Sequence, residues 1–201
     1  MWRPYEQVDL QELDAVRLTP AETSRIEVVA PDPSWPEQYE RVREVIVMAL
    51  GDRVLLLAHV GSTAVPDLWA KPRIDVDLLV ADSSAEDEYV PALEAAGFRL
   101  VVREPDWEEH RVLRGWDPAT NLHVMSPSAI EPRRHLAFRD WLRTHPKDRA
   151  AYAELKRSLA GRGFTDGMDY NNHKAELVYD IYERIFAADQ AHQHTPRPRI
   201  P

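Results

Sequence analysis

The sequence predicts a mixed α/β (α+β) domain, in which a mixed β-sheet with flanking helices is followed by a helical C-terminal part. Two apolar-rich runs, at residues 54–60 and 74–80, are typical of strands covered on both faces. Segments with helical periodicity lie between the strand candidates, and after Pro132 the pattern is helical throughout. The 201 residues are enough for one compact domain with a substantial core.

The individual elements follow from the spacing of apolar residues and from turn signals. A helix at 35–49 has Ser34 at its N-cap and Pro36 in its first turn. The other predicted elements of the first part are a strand at 25–30, a central strand at 54–60, a short helix at 64–70, a strand at 74–80, a helix at 86–96, a strand at 98–103, and two strands, HRVLRGW (110–116) and NLHVM (121–125), joined by the turn signal Asp117-Pro118.

The two ends of the chain have a different character from the middle. Residues 1–24 are polar with weak periodicity, which indicates a poorly ordered N-terminal extension, and the proline-rich residues 188–201 indicate a flexible tail. Between them we expect one domain at 25–187, with its sheet part at about 25–130 and its helical part at about 131–187.

Composition restricts the classes of function. The chain has no cysteine, so thiolate zinc sites and cysteine nucleophiles are excluded. A net charge of −9 argues against nucleic acid as a partner and favours a small phosphorylated ligand held by a few local cations. No apolar run is long enough to cross a membrane and no signal-peptide core is present, so we expect a cytoplasmic protein without a membrane partner.

Two carboxylates carry the strongest chemical signal. Asp75 and Asp77 are separated by one residue in the predicted strand 74–80, so they point to one face while Ile74 and Val76 point to the other. Two adjacent carboxylates on a buried strand repel each other, and a divalent cation such as Mg²⁺ would compensate that repulsion. The alternative is that the pair lies at a strand edge in solvent.

A second signal precedes the carboxylates by about a dozen residues. Gly61, Ser62 and Thr63 follow a predicted strand and precede the predicted helix at 64–70. Glycine lets backbone amides approach a ligand closely, and hydroxyl groups at a helix N-terminus suit phosphate. The segment alone could be a plain strand-to-helix turn, but its combination with Asp75 and Asp77 indicates phosphate donors and metal ligands on neighbouring strand ends.

Candidate cations and a candidate base lie elsewhere in the chain. Lys174 shares a helical stripe with Tyr170 and is expected to project inward, and Lys71 is placed to steer anions. His123, on the predicted strand 121–125, could ligate a metal, accept a proton, or be a hydrogen-bonded core histidine. The nearby Glu108, Glu109 and His110 are alternatives for that role that we expect in a solvated turn.

The chain resembles the GrpB family and, more broadly, the nucleotidyltransferase superfamily, over about residues 25–187. The GrpB family also has members fused to dephospho-CoA kinase. The residues that carry the resemblance are AHVGSTAVPDLWAKPRIDVDLLV (58–80), VVAPDPSWPEQYE (28–40), NLHV (121–124), FRDWLRTHP (138–146), YAELKRSLA (152–160), and Tyr170 with Lys174.

The resemblance implies a nucleotidyltransferase-like fold and a set of roles for individual residues. By similarity, Asp75 and Asp77 would bind Mg²⁺ (or Mn²⁺), and Gly61 and Ser62 would hold the β- and γ-phosphates of a nucleoside triphosphate. The likeness also favours Arg139, Lys156 and Lys174 as ligand contacts, although Arg139 and Lys156 could be surface charges. Many active members of the superfamily have a third carboxylate on a later strand, where this chain has His123.

These signals together predict a Mg²⁺-dependent nucleotidyltransferase. It would move a nucleoside monophosphate from a nucleoside triphosphate to an acceptor, most simply a small molecule and alternatively a protein. One alternative is an accessory module that binds nucleotide without catalysis, and another is a metal-dependent phosphohydrolase.

Overall fold

The computed structural model describes residues 14–20 and 25–189. The strands are β1 (Leu56–Val60), β2 (Ile74–Leu79), β3 (Arg99–Glu104), β4 (His110–Trp116) and β5 (Ala119–Met125), and they form one sheet in the order β1-β2-β5-β4-β3. Only β2 and β5 are parallel; the other neighbours pair antiparallel. The helices are α1 (Trp35–Leu50), α2 (Val90–Ala95), α3 (Glu131–Thr144), α4 (Pro146–Ala160) and α5 (Gly167–Ala188).

One face of the sheet forms the main hydrophobic core, because alternate side chains of each strand point towards α1 and α2. This core includes Ile74, Val76 and Leu78 of β2, Leu122 and Val124 of β5, and Trp35, Val42, Ile46 and Leu50 of α1. The residues between them, among which are Asp75 and Asp77, therefore point to the opposite face.

The helical part is anchored to the segment that follows β1. Val65 and Leu68 of this segment are buried in a second apolar cluster with Leu142 of α3, Tyr152 of α4 and Ile181 of α5. The segment that contains Gly61 and Ser62 therefore packs against the helices, and this packing brings α4 and α5 close to the end of β1.

The mixed α/β class and the helical C-terminal part are confirmed. The predicted strand pair around Asp117-Pro118 is also confirmed as β4 and β5, which pair antiparallel. The strand at 98–103 corresponds to β3, and the helix at 86–96 is represented by a 3-10 turn at Glu86–Glu88 followed by α2.

Three predictions about local structure were wrong. The strand at 54–60 is β1, which lies at the edge of the sheet and not in its centre. The predicted helix at 64–70 is absent, and only Ser62–Ala64 form a 3-10 turn. The apolar residues Val65 and Leu68, which follow this turn, pack against the C-terminal helices. The strand at 25–30 is reduced to one bridge between Val29 and Ala70. Ser34 is the N-cap residue of α1, as predicted, although its side chain makes no capping hydrogen bond.

Part of the predicted N-terminal extension contacts the sheet. Arg17 forms a bridge with Val102, and the Leu18 amide donates to the Val101 carbonyl, so these residues add to the edge formed by β3. Residues 1–13, 21–24 and 190–201, which include most of the predicted tail, lie outside the described residues. Among the helices of the described part, none has the length and apolar character needed to cross a bilayer.

Candidate functional site

A cavity of about 240 Å³ lies between the polar face of the sheet and the helices α3, α4 and α5. It receives side chains from the strands β2 and β5, from the segments on either side of Leu68, and from all three helices. The residues that line this site cavity are Val60, Gly61, Ser62, Lys71, Arg73, Asp75, Asn121, His123, His135, Tyr152, Lys156, Tyr170, Asn171 and Lys174.

Asp75 is held at the wall of the site cavity by its two neighbours. The Asn121 side-chain amide donates a hydrogen bond of 2.9 Å to Oδ1 of Asp75. On the other side, Gly61 has φ of 67°, and a Cβ atom there would lie 2.3 Å from Oδ2 of Asp75. Only glycine lets the backbone adopt this conformation and approach the carboxylate so closely.

Asp77 is fully buried and does not itself line the site cavity. Its two carboxylate oxygens accept from Nδ1 of His135, at 3.0 and 3.1 Å. Burial opposes the charged form of His135, but the charge and the hydrogen bond of Asp77 together raise the pKa of His135 to about 9. Near neutral pH, His135 is therefore an imidazolium that neutralises Asp77.

Three lysines face Asp75 from the other walls of the site cavity, and each has a lowered pKa. Burial is the largest cause in every case. It lowers the pKa of Lys156 to about 6 and those of Lys71 and Lys174 to about 8. Lys174 adds repulsion to both of the other lysines, whereas the charge of Asp75 acts in the opposite direction. The lysines thus form a cationic wall whose full charge requires more negative charge nearby than Asp75 supplies.

The lysines are positioned by one hydroxyl group and by two aromatic rings. Lys156, which is 2% exposed, donates a hydrogen bond of 2.8 Å to Oγ of Ser62. Its Nζ lies 4.4 Å from the ring centroid of Tyr152, and Nζ of Lys174 lies 4.6 Å from that of Tyr170. Such cation–π contacts stabilise the charged form of a lysine without supplying a counter-charge.

His123 occupies the position on β5 that is paired with Asp77 on β2. Burial, with repulsion from His110 as the next cause, lowers the pKa of His123 to about 4, so the ring is neutral near pH 7. Its Nδ1 lies 3.0 Å from Nε2 of His110. The expectation that His110 lies in a solvated turn was wrong, because His110 is 5% exposed and is the first residue of β4.

Two predicted ligand contacts, Thr63 and Arg139, do not line the site cavity; both line a different groove, beside β1. The Thr63 hydroxyl contacts Nε2 of His59 at 3.0 Å and donates to the Arg73 carbonyl. The guanidinium of Arg139 donates to the His59 carbonyl and to Asp140. Their polar groups are thus used to hold the segment around β1.

Comparison with known proteins identifies the family of the chain. A family profile described as GrpB protein matches residues 25–184. The chain belongs to the GrpB family. It is 44% identical over 184 residues to the UPF0157 protein BH1888 of Halalkalibacterium halodurans, which covers 92% of this chain and 94% of that protein. A crystal structure of conserved protein GrpB from Enterococcus faecalis matches with a TM-score of 0.70 and 30% identity, over 79% of this chain and 96% of that chain.

Another relative has a different name and a longer chain. A dephospho-CoA kinase of Mycolicibacterium paratuberculosis is 33% identical over an alignment of 188 residues, and this alignment covers 80% of this chain and 46% of that protein. This GrpB-family chain therefore corresponds to about half of the kinase's length.

The site cavity of this GrpB-family chain adjoins a larger chamber of about 600 Å³. Both spaces are lined by Lys71, Arg73, Asn121, His123 and Asn171. The larger chamber adds further basic residues, namely Arg17, Arg25 and Arg114, together with the apolar Ile26, Val101, Val102, Val112 and Met168. A ligand with an anionic end in the site cavity would have room for a larger, partly apolar body here.

A divalent ion fits these residues only together with an anionic ligand. Among residues 14–20 and 25–189, no three His, Asp or Glu side chains are arranged to hold a metal ion by themselves. Mg²⁺, however, commonly takes one or two carboxylates and completes its coordination with phosphate oxygens and water. Asp75 lines the site cavity and would supply one such carboxylate, whereas Asp77 is fully buried with both oxygens on His135 and would reach an ion only if His135 moved away.

Several residues of the site were not identified from the sequence. Asn121 precedes His123 by two residues on a predicted strand, so the spacing did indicate that both share a face. His135 and Tyr152 lie on helices whose placement depends on tertiary packing, and nothing in their local sequence indicates a contact with β2 or with the lysines.

Proposed function

We propose that this protein is a Mg²⁺-dependent nucleotidyltransferase of the nucleotidyltransferase superfamily, which transfers a nucleoside monophosphate to a small-molecule or protein acceptor. The observation that supports it best is the convergence of three buried or half-buried lysines on Asp75 and the Gly61-Ser62 segment. In a chain of net charge −9, such a local cationic wall next to paired carboxylates fits a polyphosphate and a divalent ion.

The phosphate end of the nucleotide would occupy the site cavity. Burying lysines without counter-charges is costly, and phosphate oxygens would repay that cost by pairing with Lys71, Lys156 and Lys174. Gly61 would let the backbone approach the phosphates, and the Ser62 hydroxyl would bind them beside Lys156. A volume of about 240 Å³ suits the phosphates, and the adjoining chamber of about 600 Å³ suits the nucleoside or the acceptor.

The carboxylates would hold the ion on the sheet side of the phosphates. Asp75 is already oriented by Asn121, and Asp77 lies on the same face of β2 behind His135. A bound Mg²⁺ ion would neutralise charge between these carboxylates and the phosphate oxygens and would polarise the α-phosphorus.

His123 would act as the general base at the position where many relatives in the superfamily have a third carboxylate. An acceptor hydroxyl would lose its proton to Nε2 of His123 as its oxygen forms the new bond to the α-phosphorus. The bond from that phosphorus to the pyrophosphate would break, and the leaving charge would be stabilised by Lys156 and Lys174. The neutral state of His123 near pH 7 suits this role.

A nucleotide-binding accessory module is the second candidate function. It is favoured by the replacement of a third carboxylate by His123 and by the His135 imidazolium that covers Asp77. The presence of a similar domain as about half of proteins named dephospho-CoA kinase also suits a module that assists another activity.

A nucleotide panel separates these candidates. Each of the four ribonucleoside triphosphates is added with and without Mg²⁺, and both the thermal unfolding midpoint and pyrophosphate release are measured. We expect Mg²⁺-dependent stabilisation, about 2.7 kcal/mol at a ligand concentration 100 times Kd, and pyrophosphate release when an acceptor is supplied.

The matched variants are Asp75→Asn, which removes the cavity carboxylate, and Asp52→Asn, which removes an exposed carboxylate after α1. We expect Asp75→Asn to lower turnover by roughly 10³-fold and Asp52→Asn to leave it unchanged. Binding without product across an acceptor screen would support the accessory module. Orthophosphate as the product would indicate hydrolysis, and the absence of Mg²⁺-dependent nucleotide binding would contradict both candidates.

A further inference from the structure

Two tyrosines, Tyr152 of α4 and Tyr170 of α5, line the site cavity, and their hydroxyl groups differ in one respect. The Tyr152 hydroxyl is hydrogen-bonded to Ser62. The Tyr170 hydroxyl is buried and has no hydrogen-bond partner among the residues that the structure describes, and the residue as a whole is 0% exposed. A polar group removed from water in this way raises the free energy of the folded state unless a partner is supplied.

The ring of Tyr170 has contacts of its own, which do not involve the hydroxyl. It packs in a small apolar cluster with Ile26 and Leu159. Two lysines that line the site cavity also contact it, with Nζ of Lys174 at 4.6 Å and Nζ of Lys71 at 5.2 Å from the ring centroid. A phenylalanine would make the same packing and cation–π contacts. The contacts of the ring therefore do not account for the hydroxyl.

The surroundings of the hydroxyl offer hydrogen-bond donors and lack an acceptor. Burial raises the pKa of Tyr170, and the Tyr152 hydroxyl adds to this effect, so the two hydroxyl groups lie within electrostatic range of each other. Tyr170 keeps its hydrogen at neutral pH and can donate it. An ammonium group has donors and no acceptor, so Lys71 and Lys174 beside the ring do not supply the acceptor that this hydroxyl lacks.

We propose that Tyr170 is a ligand-contacting residue, whose hydroxyl donates a hydrogen bond to an oxygen of a phosphate group bound in the site cavity. A phosphate oxygen is a charged acceptor, so this bond would be stronger than one between two neutral groups. The phosphate would lie beside the ammonium groups of Lys71 and Lys174, because both contact the Tyr170 ring. The assignment rests on the proposed function where the ligand is a nucleotide, but the contact itself needs only a phosphate group, without a nucleoside or Mg²⁺.

This role predicts opposite effects of the hydroxyl on folding and on binding. In the ligand-free protein, removal of an unpartnered buried hydroxyl should leave stability unchanged or raise it. In the complex, the same removal deletes a hydrogen bond to a charged acceptor and should weaken binding. A purely structural hydroxyl would give the reverse pattern, in which stability falls and binding is unaffected.

The test compares Tyr170→Phe with the matched control Tyr89→Phe. Tyr89 is 1% exposed and lies in the main hydrophobic core, and its hydroxyl donates a hydrogen bond of 2.7 Å to the Ser83 carbonyl. Both substitutions remove one buried hydroxyl and keep the ring. The probe is inorganic pyrophosphate without Mg²⁺, whose Kd is measured by isothermal titration calorimetry. The urea midpoint of each ligand-free protein is measured in a phosphate-free buffer.

The two variants should differ in both measurements. For Tyr170→Phe we expect a urea midpoint no lower than that of the wild type and a Kd for pyrophosphate raised roughly ten- to a hundredfold. For Tyr89→Phe we expect a lower midpoint, because the Ser83 carbonyl loses its donor, and an unchanged Kd.

Several outcomes would overturn the assignment. It fails if the wild type does not bind pyrophosphate, or if Tyr170→Phe binds it as tightly as the wild type does. It also fails if Tyr170→Phe lowers the urea midpoint as much as Tyr89→Phe, because the Tyr170 hydroxyl would then have a partner in the ligand-free protein.

Titration with ATP and Mg²⁺ distinguishes this assignment from the proposed function. If the phosphates of the nucleotide occupy the site cavity, Tyr170→Phe should weaken ATP binding by a factor similar to that for pyrophosphate. Pyrophosphate binding that depends on Tyr170, without any nucleotide binding, would support the contact and contradict the proposed function. Nucleotide binding and turnover that are unchanged in Tyr170→Phe would support the proposed function and overturn the assignment of Tyr170.

Discussion

The two faces of the sheet differ in composition although the same strands build both. On β2 and β5, Ile74, Val76, Leu122 and Val124 point to α1 and α2, and Asp75, Asp77, Asn121 and His123 point to the helical part. The first set is apolar throughout and the second is polar throughout. Because successive residues alternate between the faces, a strand of six or seven residues can serve the core and a binding site at the same time.

This division assigns opposite energetic roles to the two faces. The apolar face removes large side chains from water, which stabilises the fold. The polar face buries Asp77 and Lys156, which lose hydration and are only partly compensated by His135 and Ser62. Substitutions on the apolar face should therefore lower stability, whereas some on the polar face should raise it at the expense of ligand binding.

The largest expected effect is on the apolar face. Leu122→Ala removes a fully buried side chain from the core, and we expect the free energy of unfolding to fall by about 2–5 kcal/mol. Denaturant titration followed by circular dichroism measures this change. The control Leu55→Ala alters a leucine that is 55% exposed, and it should change stability by no more than about 0.5 kcal/mol. Equal losses in the two variants would contradict the assignment of the core to this face.

The apolar face was also the part that the sequence predicted best. The strands β2, β4 and β5 follow from alternation and from the Asp117-Pro118 turn signal, and these are local properties. The central position predicted for β1 was wrong, because an apolar run does not show which strands lie beside it. Its apolar side chains are covered on one side by α1 and on the other by the helical part, whose placement is a tertiary feature.

On the polar face, prediction succeeded within strands and failed between distant elements. The same-face placement of Asp75 and Asp77 follows from the two-residue period, and the inward direction of Lys174 follows from its helical stripe. His135 contacts Asp77 at a separation of 58 positions, and His110 contacts His123 at a separation of 13. No local sequence pattern specifies either pair.

The next prediction concerns the point where the segment after β1 meets the polar face. Gly61→Ala places a Cβ against Asp75 at a φ of 67°, so both a clash and backbone strain are expected. We expect a loss of stability above the roughly 1–3 kcal/mol that such strain alone costs, together with loss of nucleotide binding.

Gly51→Ala is the matched control for this substitution. Gly51 has a φ of 56°, but no atom lies within 4 Å of the added Cβ, so only strain is introduced. The difference between the two variants in chemical denaturation measures the close approach of Gly61 to Asp75. If Gly61→Ala is no less stable than Gly51→Ala and still binds nucleotide, the close contact between the Gly61 backbone and Asp75 has no role in the site.

The smallest expected effect is the change in stability on replacing Lys156, a residue that we assign to ligand binding and not to stabilising the fold. The pKa of Lys156 is lowered from 10.5 to about 6 in the folded state, so between these pH values the unfolded state holds more protons. The contribution of Lys156 to the free energy of unfolding therefore becomes less unfavourable as the pH rises from 6 to 10.5. Lys156→Met removes the buried amino group, and we expect it to stabilise the protein by about 1 kcal/mol at pH 6, with a gain that shrinks towards pH 10.5.

His135 has the opposite effect on the pH dependence of stability, and it has this effect in both the wild type and Lys156→Met. Its pKa is raised from 6.5 to about 9, so the stability it provides is complete below pH 6.5 and is lost as pH rises through 9. His135 gives the same pH dependence to the unfolding free energies of the wild type and of Lys156→Met. Subtracting one from the other therefore removes that dependence, and the remaining pH dependence is due to Lys156. Lys147→Met, at an exposed lysine on α4, should show no such dependence on pH. A pH-independent difference for Lys156→Met would mean that Lys156 remains charged in the folded protein, and that the cationic wall is already compensated before any phosphate binds.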